Sequence, residues 1–247
     1  MDSATLRVPD PPRNLLLAAL SESDAERWQP HVESIELALG QVLCESGKEQ
    51  TYAYFPTTTI VSLVSTTFEG DSTETTVVGH EGVVGISLFM GGNKSPSEAV
   101  VQSAGHAYKV RANVVRNVAS AATSSLTILL RYALGMIDQV AQTAACNRFH
   151  SIDQLYCRRL LIGLDRLPTD ALAMTQENAA ALLGVRRESV TAAAHKLQSA
   201  GVIRCNRGRI DVLDRKGLES RTCERLGFDT GRRPGDGHAA SPALTVA

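Results

Sequence analysis

The sequence predicts an α+β chain with a β-rich N-terminal domain, a long central helix, and a helix-turn-helix with a hairpin wing at the C-terminal end. Three observations predict it. Between residues 32 and 115 short β-branched stretches alternate with glycines. Between 124 and 150 apolar residues recur at steps of four and three, and between 175 and 213 two short helical segments precede two strand-like stretches around an Asn-Arg-Gly turn. A chain of 247 residues with 43% hydrophobic content can bury two separate cores. The expected division is 14–122 for the β-rich domain, 123–150 for the helix and 151–226 for the C-terminal module. Residues 227–247, rich in Gly, Pro, Ala and polar residues, are expected to be a disordered tail.

Residues 1–13 are polar and carry prolines. Asn14 to Leu20 and Ser23 to His31 read as short helices, the second opening on a Ser23 to Glu26 capping box and closed by Pro30. Strand-like stretches follow at 33–39, 41–46, 57–68, 73–79, 98–104 and 106–110, punctuated by Gly40, Gly47, Gly70, Gly79, Gly82, Gly91, Gly92 and Gly105. Many short strands at this spacing predict an antiparallel sandwich or barrel.

After Arg111 the pattern turns helical. Leu126, Leu130, Ala133, Ile137, Val140 and Ala144 form a narrow, regular apolar seam, with Ser124 or Ser125 as its cap. Such a seam suits either dimerisation or packing on the helix's own domain. Dimerisation is the preferred reading, because the helix lies between two domains. Residues 151–167 then read as a second amphipathic helix.

The net charge of −1 hides an asymmetry. Met1 to Asn147 carries 9 Lys/Arg against 15 Asp/Glu, whereas Arg148 to Arg225 carries 14 against 9. A basic module on an acidic one fits a polyanionic partner for the basic part.

Within that module a helix opens at Thr175 and Gln176 and stops at Gly184, and Arg186 to Ala200 makes the next. Ala179, Leu182 and Leu183 on the first helix and Val190, Ala194 and Leu197 on the second supply the packing faces, which leaves the polar face of the second helix free. Near its N-terminus this face carries Arg186, Arg187, Glu188, Ser189 and Thr191, where a helix in the major groove meets base edges. Arg suits guanine, Glu suits the cytosine amino group, and Ser or Thr suits bases or phosphate. Lys196, Arg204, Arg207 and Arg209 stand where flanking and wing contacts to phosphates are expected, the wing turning at Asn206, Arg207 and Gly208. The competing use of such a module is contact with another protein.

Four groups of residues resemble the Crp/Fnr transcriptional regulators, over a span from about Leu15 to Arg225. They are Gly40 to Leu43 with Gly47, Tyr54 to Pro56, Gly79 to Gly85, and Thr175 through Arg187 and Val190 to Gly201, the last being the most diagnostic. The resemblance implies a jelly-roll β-barrel of the cyclic-nucleotide-binding kind, a long dimerisation helix and a C-terminal winged helix-turn-helix. It implies double-stranded DNA, a second copy of the chain and RNA polymerase as partners.

The chain departs from the family pattern at several points. Where cyclic-AMP-binding members place a Glu for the ribose and an Arg-Ser pair for the phosphate, this chain has Gly85, after Val84, and Ser97 with Glu98. A carboxylate at 98 repels a phosphate, so cyclic-AMP sensing is not expected; Lys94 in the preceding loop is the one candidate substitute. No cysteine cluster precedes Cys44, which removes the iron–sulfur mode, and His80 and His106 read as loop residues rather than haem ligands. In the second helix Ala192 stands where the family usually has a guanine-reading Arg. Arg187 and Glu188 are left as base readers, and an altered base preference follows.

Cys44, Cys146, Cys157, Cys205 and Cys223 are scattered, without a C-x-x-C pair. Cys146 and His150 share a helical face, but two ligands without a third read as a packed thiol and a capping imidazole. No cofactor or metal is expected. There is no apolar run of membrane-spanning length and no signal-peptide layout at the N-terminus, so a cytoplasmic setting is expected. The sequence holds no H-E-x-x-H, G-x-S-x-G, P-loop or strand-borne G-x-G-x-x-G, so an enzyme is not expected.

Overall fold

The computed structural model describes residues 14–120, 124–167 and 171–223. The expected tail at 227–247 and the helix junction at 121–123 lie outside the described residues.

Helix α1 (Leu15–Ala18) is capped by buried Asn14, whose side-chain oxygen accepts from the Leu16 and Leu17 amides. Its Nδ2 donates to Pro56 O at 2.9 Å and Gly82 O at 2.8 Å, which pins the first turn to the barrel. Helix α2 (Glu22–Trp28) is capped by Ser21 rather than Ser23, because the Ser21 hydroxyl is the one that reaches the Asp24 amide. A 3-10 turn at Gln29–His31 then carries Pro30 and ends the segment.

Seven antiparallel strands follow: β1 (Glu33–Leu37), β2 (Val42–Cys44), β3 (Tyr52–Pro56), β4 (Ile60–Thr66), β5 (Ser72–Val78), β6 (Glu98–Ser103) and β7 (Gly105–Arg111). They form two sheets, ordered β1-β7-β3 and β2-β6-β4-β5. Leu37 and Ala107 from the first meet Val61, Val78, Ala99 and Val101 from the second in the space between them. Strand β3 lies outside the stretches that the β-branched pattern marks. It is an aromatic segment at a sheet edge, where Pro56 removes no ladder bond that the sheet needs.

The other face of β3 and β7, with Ala53, Phe55 and Val110, carries a second core built from Leu16, Trp28, Leu88, Phe89 and Leu129. The Trp28 ring meets Phe55 edge-on at 5.7 Å and stacks on Phe89 at 6.2 Å.

Helix α3 (Ala112–Ser120) leads to α4 (Ser124–Phe149). Ser125 does not cap α4; it is buried and its hydroxyl donates to Asp24. The expected seam also shifts. Ala133 is only 5% exposed and packs inward, and Leu126 is half-buried, while Leu130 (48%), Leu134 (59%), Ile137 (59%) and Val140 (40%) stand exposed with Ala144. Leu134 therefore takes the place of Ala133 in the outward stripe, which Leu130, Leu134, Ile137, Val140 and Ala144 form at steps of three and four.

Helix α5 (Ile152–Leu164) opens on a capping box between Ser151 and Gln154. It is not amphipathic. Leu155 through Leu164 are all buried, Arg158 and Arg159 among them, because the winged module covers one side and the barrel the other.

The module is completed by β8 (Ala171–Ala173), α6 (Gln176–Leu183), α7 (Arg187–Ser199), β9 (Ile203–Asn206), β10 (Arg209–Val212) and α8 (Arg215–Glu219), its sheet ordered β8-β10-β9. Leu160, Leu161, Leu172, Ala179, Val190, Leu197, Ile203, Ile210 and Leu218 fill its core.

The two halves meet along β5, the edge of the larger sheet. Thr73 Oγ1 donates to Leu182 O at 3.2 Å, and the Thr76 hydroxyl donates to Gln139 of α4. Glu74 contacts Arg159 at 2.8 Å and also receives the Ser62 hydroxyl, while Val77 and Ile60 pack on Ile162. Nearby, Arg166 Nε donates to Glu81 at 2.8 Å. A Cβ at Gly82 would lie 2.1 Å from the Tyr132 hydroxyl oxygen, so any larger residue there has to displace the Tyr132 ring.

Both partners of the Glu74–Arg159 pair are under 10% exposed, so removing one strands the other. Glu74→Ala is expected to cost about 3–5 kcal/mol in urea unfolding, whereas Glu74→Leu with Arg159→Met, which removes both charges, recovers most of it. Equal loss in the single and double variants would show that the pair is not what holds this seam.

Candidate functional site

The site is built on α6, α7 and the wing. Thr175 ends its extended segment as N-cap of α6, accepting from the Asn178 amide at 3.0 Å. Gly184 ends the helix in the left-handed region (φ 64°), and the Val185 amide returns to Ala180 O at 3.0 Å. An L side chain is strained at that φ, so glycine sets the angle between the two helices. Ala179, Ala180 and Leu182 of α6 and Val190, Ala193, Ala194 and Leu197 of α7 are buried, leaving the opposite face of α7 in solvent.

That face carries the predicted readers. Arg186, Arg187, Glu188 and Thr191 are exposed and Ser189 is half-buried, all within the first turn and a half of α7. The Thr191 hydroxyl donates to Gln176 Oε1 at 2.7 Å, fastening α7 to the start of α6. Arg187 pairs with Glu177 at 3.2 Å. Glu177 was not among the residues the pattern singles out, since only the folded hairpin brings it beside Arg187. Ala192 is exposed, four positions after Glu188, and offers only a methyl group.

The wing stands beside this face. Arg207 and Gly208 (φ 72°) form the tip between β9 and β10, and a cleft lined by Gln176, Arg187, Asn206 and Arg209 separates tip from helix. Arg209 donates to Asp211 at 2.6 Å, which holds the Asp211 carboxyl below its ordinary value. Arg204 is exposed on β9. Lys196 lies apart, about 15 Å along α7 from Arg186, and pairs with Asp153 of α5 at 2.6 Å. The Arg187, Lys196 and Arg209 pairs are mostly exposed. Solvent screening leaves each such pair weak, so a phosphate can take over the cation at little cost.

The four effector positions do not converge by hydrogen bonding. Val84 exchanges backbone bonds with Tyr54 at 2.9 and 2.8 Å, and Gly85 sits at φ 107° against β3. Ser97 lies 3.4 Å from Ser65, and Glu98 pairs with Val64 on the other sheet. Lys94 is exposed, and its backbone pairs with that of Glu49 in an isolated antiparallel β-bridge. At the far end of α4, Cys223 joins Cys146 and His150 in a three-ligand cluster that the separation of 77 residues between the cysteines conceals in the sequence.

No helix among the described residues is long and apolar enough to cross a membrane. Residues 34–121 match the model of the cyclic nucleotide-binding domain, and residues 157–221 match the Crp-like helix-turn-helix domain. No curated protein matches the chain. Among solved structures the fold is similar to FixK2 from Bradyrhizobium japonicum, with a TM-score of 0.65, 14% identity, and coverage of 79% of this chain and 99% of that one. It is similar to a Crp/Fnr-family transcriptional regulator from Eubacterium rectale (0.65, 16%, 83% and 96%). It is also similar to CLP, the c-di-GMP responsive global regulator of Xanthomonas campestris (0.60, 15%, 78% and 99%). With both domain models matched in order along the chain and the long helix between them, this protein belongs to the Crp/Fnr family of transcriptional regulators.

Proposed function

We propose that the protein binds two-fold symmetric operators in double-stranded DNA as a homodimer. The observation that carries this reading is the exposed N-terminal face of α7, with Arg186, Arg187, Glu188 and Thr191, flanked by the cations of the wing. A helix presented this way enters the major groove by its N-terminal residues, and Arg187 and Glu188 have the chemistry to separate guanine and cytosine from the other bases. Ser189 lies beside them, and Thr175, Gln176, Arg207 and Arg209 border the same surface and serve phosphate contacts. Lys196 belongs at the margin of this footprint. With Ala192 in place of an Arg, the base preference inside each half-site differs from the usual family one.

In this reading the described part of 14–122 is the effector domain, 124–149 the dimer helix and 151–223 the reader. Leu130, Leu134, Ile137, Val140 and Ala144 form the dimer stripe, and RNA polymerase is the further partner through which bound dimers act. The two readers then meet half-sites about 34 Å apart.

The effector is not cyclic AMP. Gly85 occupies a left-handed backbone position packed on β3, where a Glu would be strained, so the ribose-binding carboxylate is absent for a structural reason. Glu98 adds a negative charge where a cyclic phosphate would need a positive one.

Binding to an operator duplex and to a random duplex at several salt concentrations tests the reader. Affinity for both is expected to fall steeply with salt, and an affinity that ignores salt refutes a DNA role. Replacing Arg187 and Glu188 by Ala is expected to reduce operator discrimination by about 1–3 kcal/mol per lost base contact; equal loss on both duplexes would refute base reading. Ile137→Lys is expected to give monomers by sedimentation, and an unchanged mass would remove α4 as the dimer helix. Calorimetric titration with cyclic AMP is expected to show no saturable binding, and a saturable isotherm would restore it as the effector.

A further inference from the structure

We infer that Cys146, His150 and Cys223 form a binding site for zinc(II), which ties the last turns of α4 to the end of the winged module. The three side chains come from two distant parts of the chain, yet their ligand atoms all lie within 4.8 Å of one another. Cys146 lies in the last turn of α4 and His150 directly follows the helix, its amide donating to Cys146 O at 2.9 Å. Cys223 follows α8 and is brought in by the fold. This supplies the third ligand that the i, i+4 pair lacks in the sequence.

The spacing suits a metal chelate better than a disulfide. The sulfurs of Cys146 and Cys223 are 3.4 Å apart. Two thiolates at about 2.3 Å from one tetrahedral zinc are roughly 3.8 Å apart, so a few tenths of an ångström of outward relaxation admit the ion. A disulfide requires closure to about 2.05 Å instead.

The surroundings agree. Both cysteines are buried, at 1% and 4% exposure, and His150 Nδ1 is buried with no hydrogen-bond partner among the described residues. A buried imidazole nitrogen without a partner is costly unless something coordinates it. The Gln142 side-chain amide donates to Cys146 Sγ at 3.2 Å, the kind of outer contact that orients a ligating thiolate. Two thiolates balance the charge of zinc(II), so the ion adds no net charge beside the buried Arg158 guanidinium. Two sulfurs and one imidazole leave a fourth position for water or an exogenous ligand.

The site also touches the reader. Cys146 and Cys223 pack with Leu155 of α5 and with Leu183 in the last turn of α6. An ion there links α4, α5 and the helix-turn-helix at one point. Zinc is thus placed to set the angle between the central helix and the reader.

The test uses the full chain, reduced and stripped of metal, titrated with zinc chloride against a chromophoric chelator. One equivalent per chain is expected. Cys223→Ser and His150→Gln should each weaken zinc binding by more than about 100-fold, beyond the range typical of outer-contact variants. Cys44→Ser, in β2 of the barrel, should bind as the unaltered chain does. Cobalt(II) should give thiolate charge-transfer absorption that Cys223→Ser loses, with circular dichroism showing that the variant is folded. The site is disproved by less than stoichiometric zinc binding, by ligand variants that bind zinc as tightly as the unaltered chain, or by a Cys146–Cys223 disulfide whose reduced form takes up no zinc. None of these readouts depends on DNA, so the site and the operator reading stand or fall separately.

Discussion

The ion pair between Glu74 and Arg159 joins the halves of the molecule at an edge of the larger sheet. Strand β5 is the edge of the larger sheet, and an uncovered edge invites pairing with other chains. Here it is covered by α4, α5 and α6 together, and several polar groups of that seam are paired, Thr73 with Leu182, Glu74 with Arg159 and Ser62, Thr76 with Gln139, while Arg159 Nη1 and Arg158 Nε have no hydrogen-bond partner among the described residues. Burying two charges costs several kcal/mol each before their attraction offsets it, so such a pair acts more to fix one arrangement than to add stability.

This seam lies behind the reader. The turn of the helix-turn-helix, at Leu182 to Gly184, rests on Thr73, while the face of α7 with Arg187 and Glu188 looks the other way into solvent. Docking to the barrel and the proposed reading of a duplex therefore use different surfaces of one small module. The central helix takes part in both halves, as its inward face with Leu129 and Gln139 packs on the barrel and its outward face with Leu134 and Ile137 is bare. A change in the barrel can reach the reader through β5, α4 or α5, and through the Glu81–Arg166 contact. Strand β5 and helix α5 are fixed to each other by the Glu74–Arg159 contact and by the packing of Val77 on Ile162.

Features written in consecutive residues were legible. The two helices of the reader, the glycine at 184 and the Asn-Arg-Gly wing all appear where the pattern places them, because caps, turns and i, i+4 packing are local. The β-rich texture of the first half was legible for the same reason. The cap of α2 was misplaced, as Ser21 and Ser23 are chemically equal and only backbone geometry separates them. Strand β8 could not be read either; Ala171 to Ala173 is a strand solely because β10 offers it a free edge.

The sequence by itself determined the order of the parts, the sign of the charge on each and the residues offered to solvent on α7, since these depend on composition and short periodicities. Tertiary structure decided which of two equivalent apolar positions faces inward, so that Ala133 is buried and Leu134 is not. It decided that α5 is buried on every side although it carries two arginines, because the winged module and the barrel enclose it from both directions. It also placed Cys223 beside Cys146 and His150. Contacts between residues so far apart arise only when α8 docks on the module's core, and nothing in the local pattern of either segment records that approach.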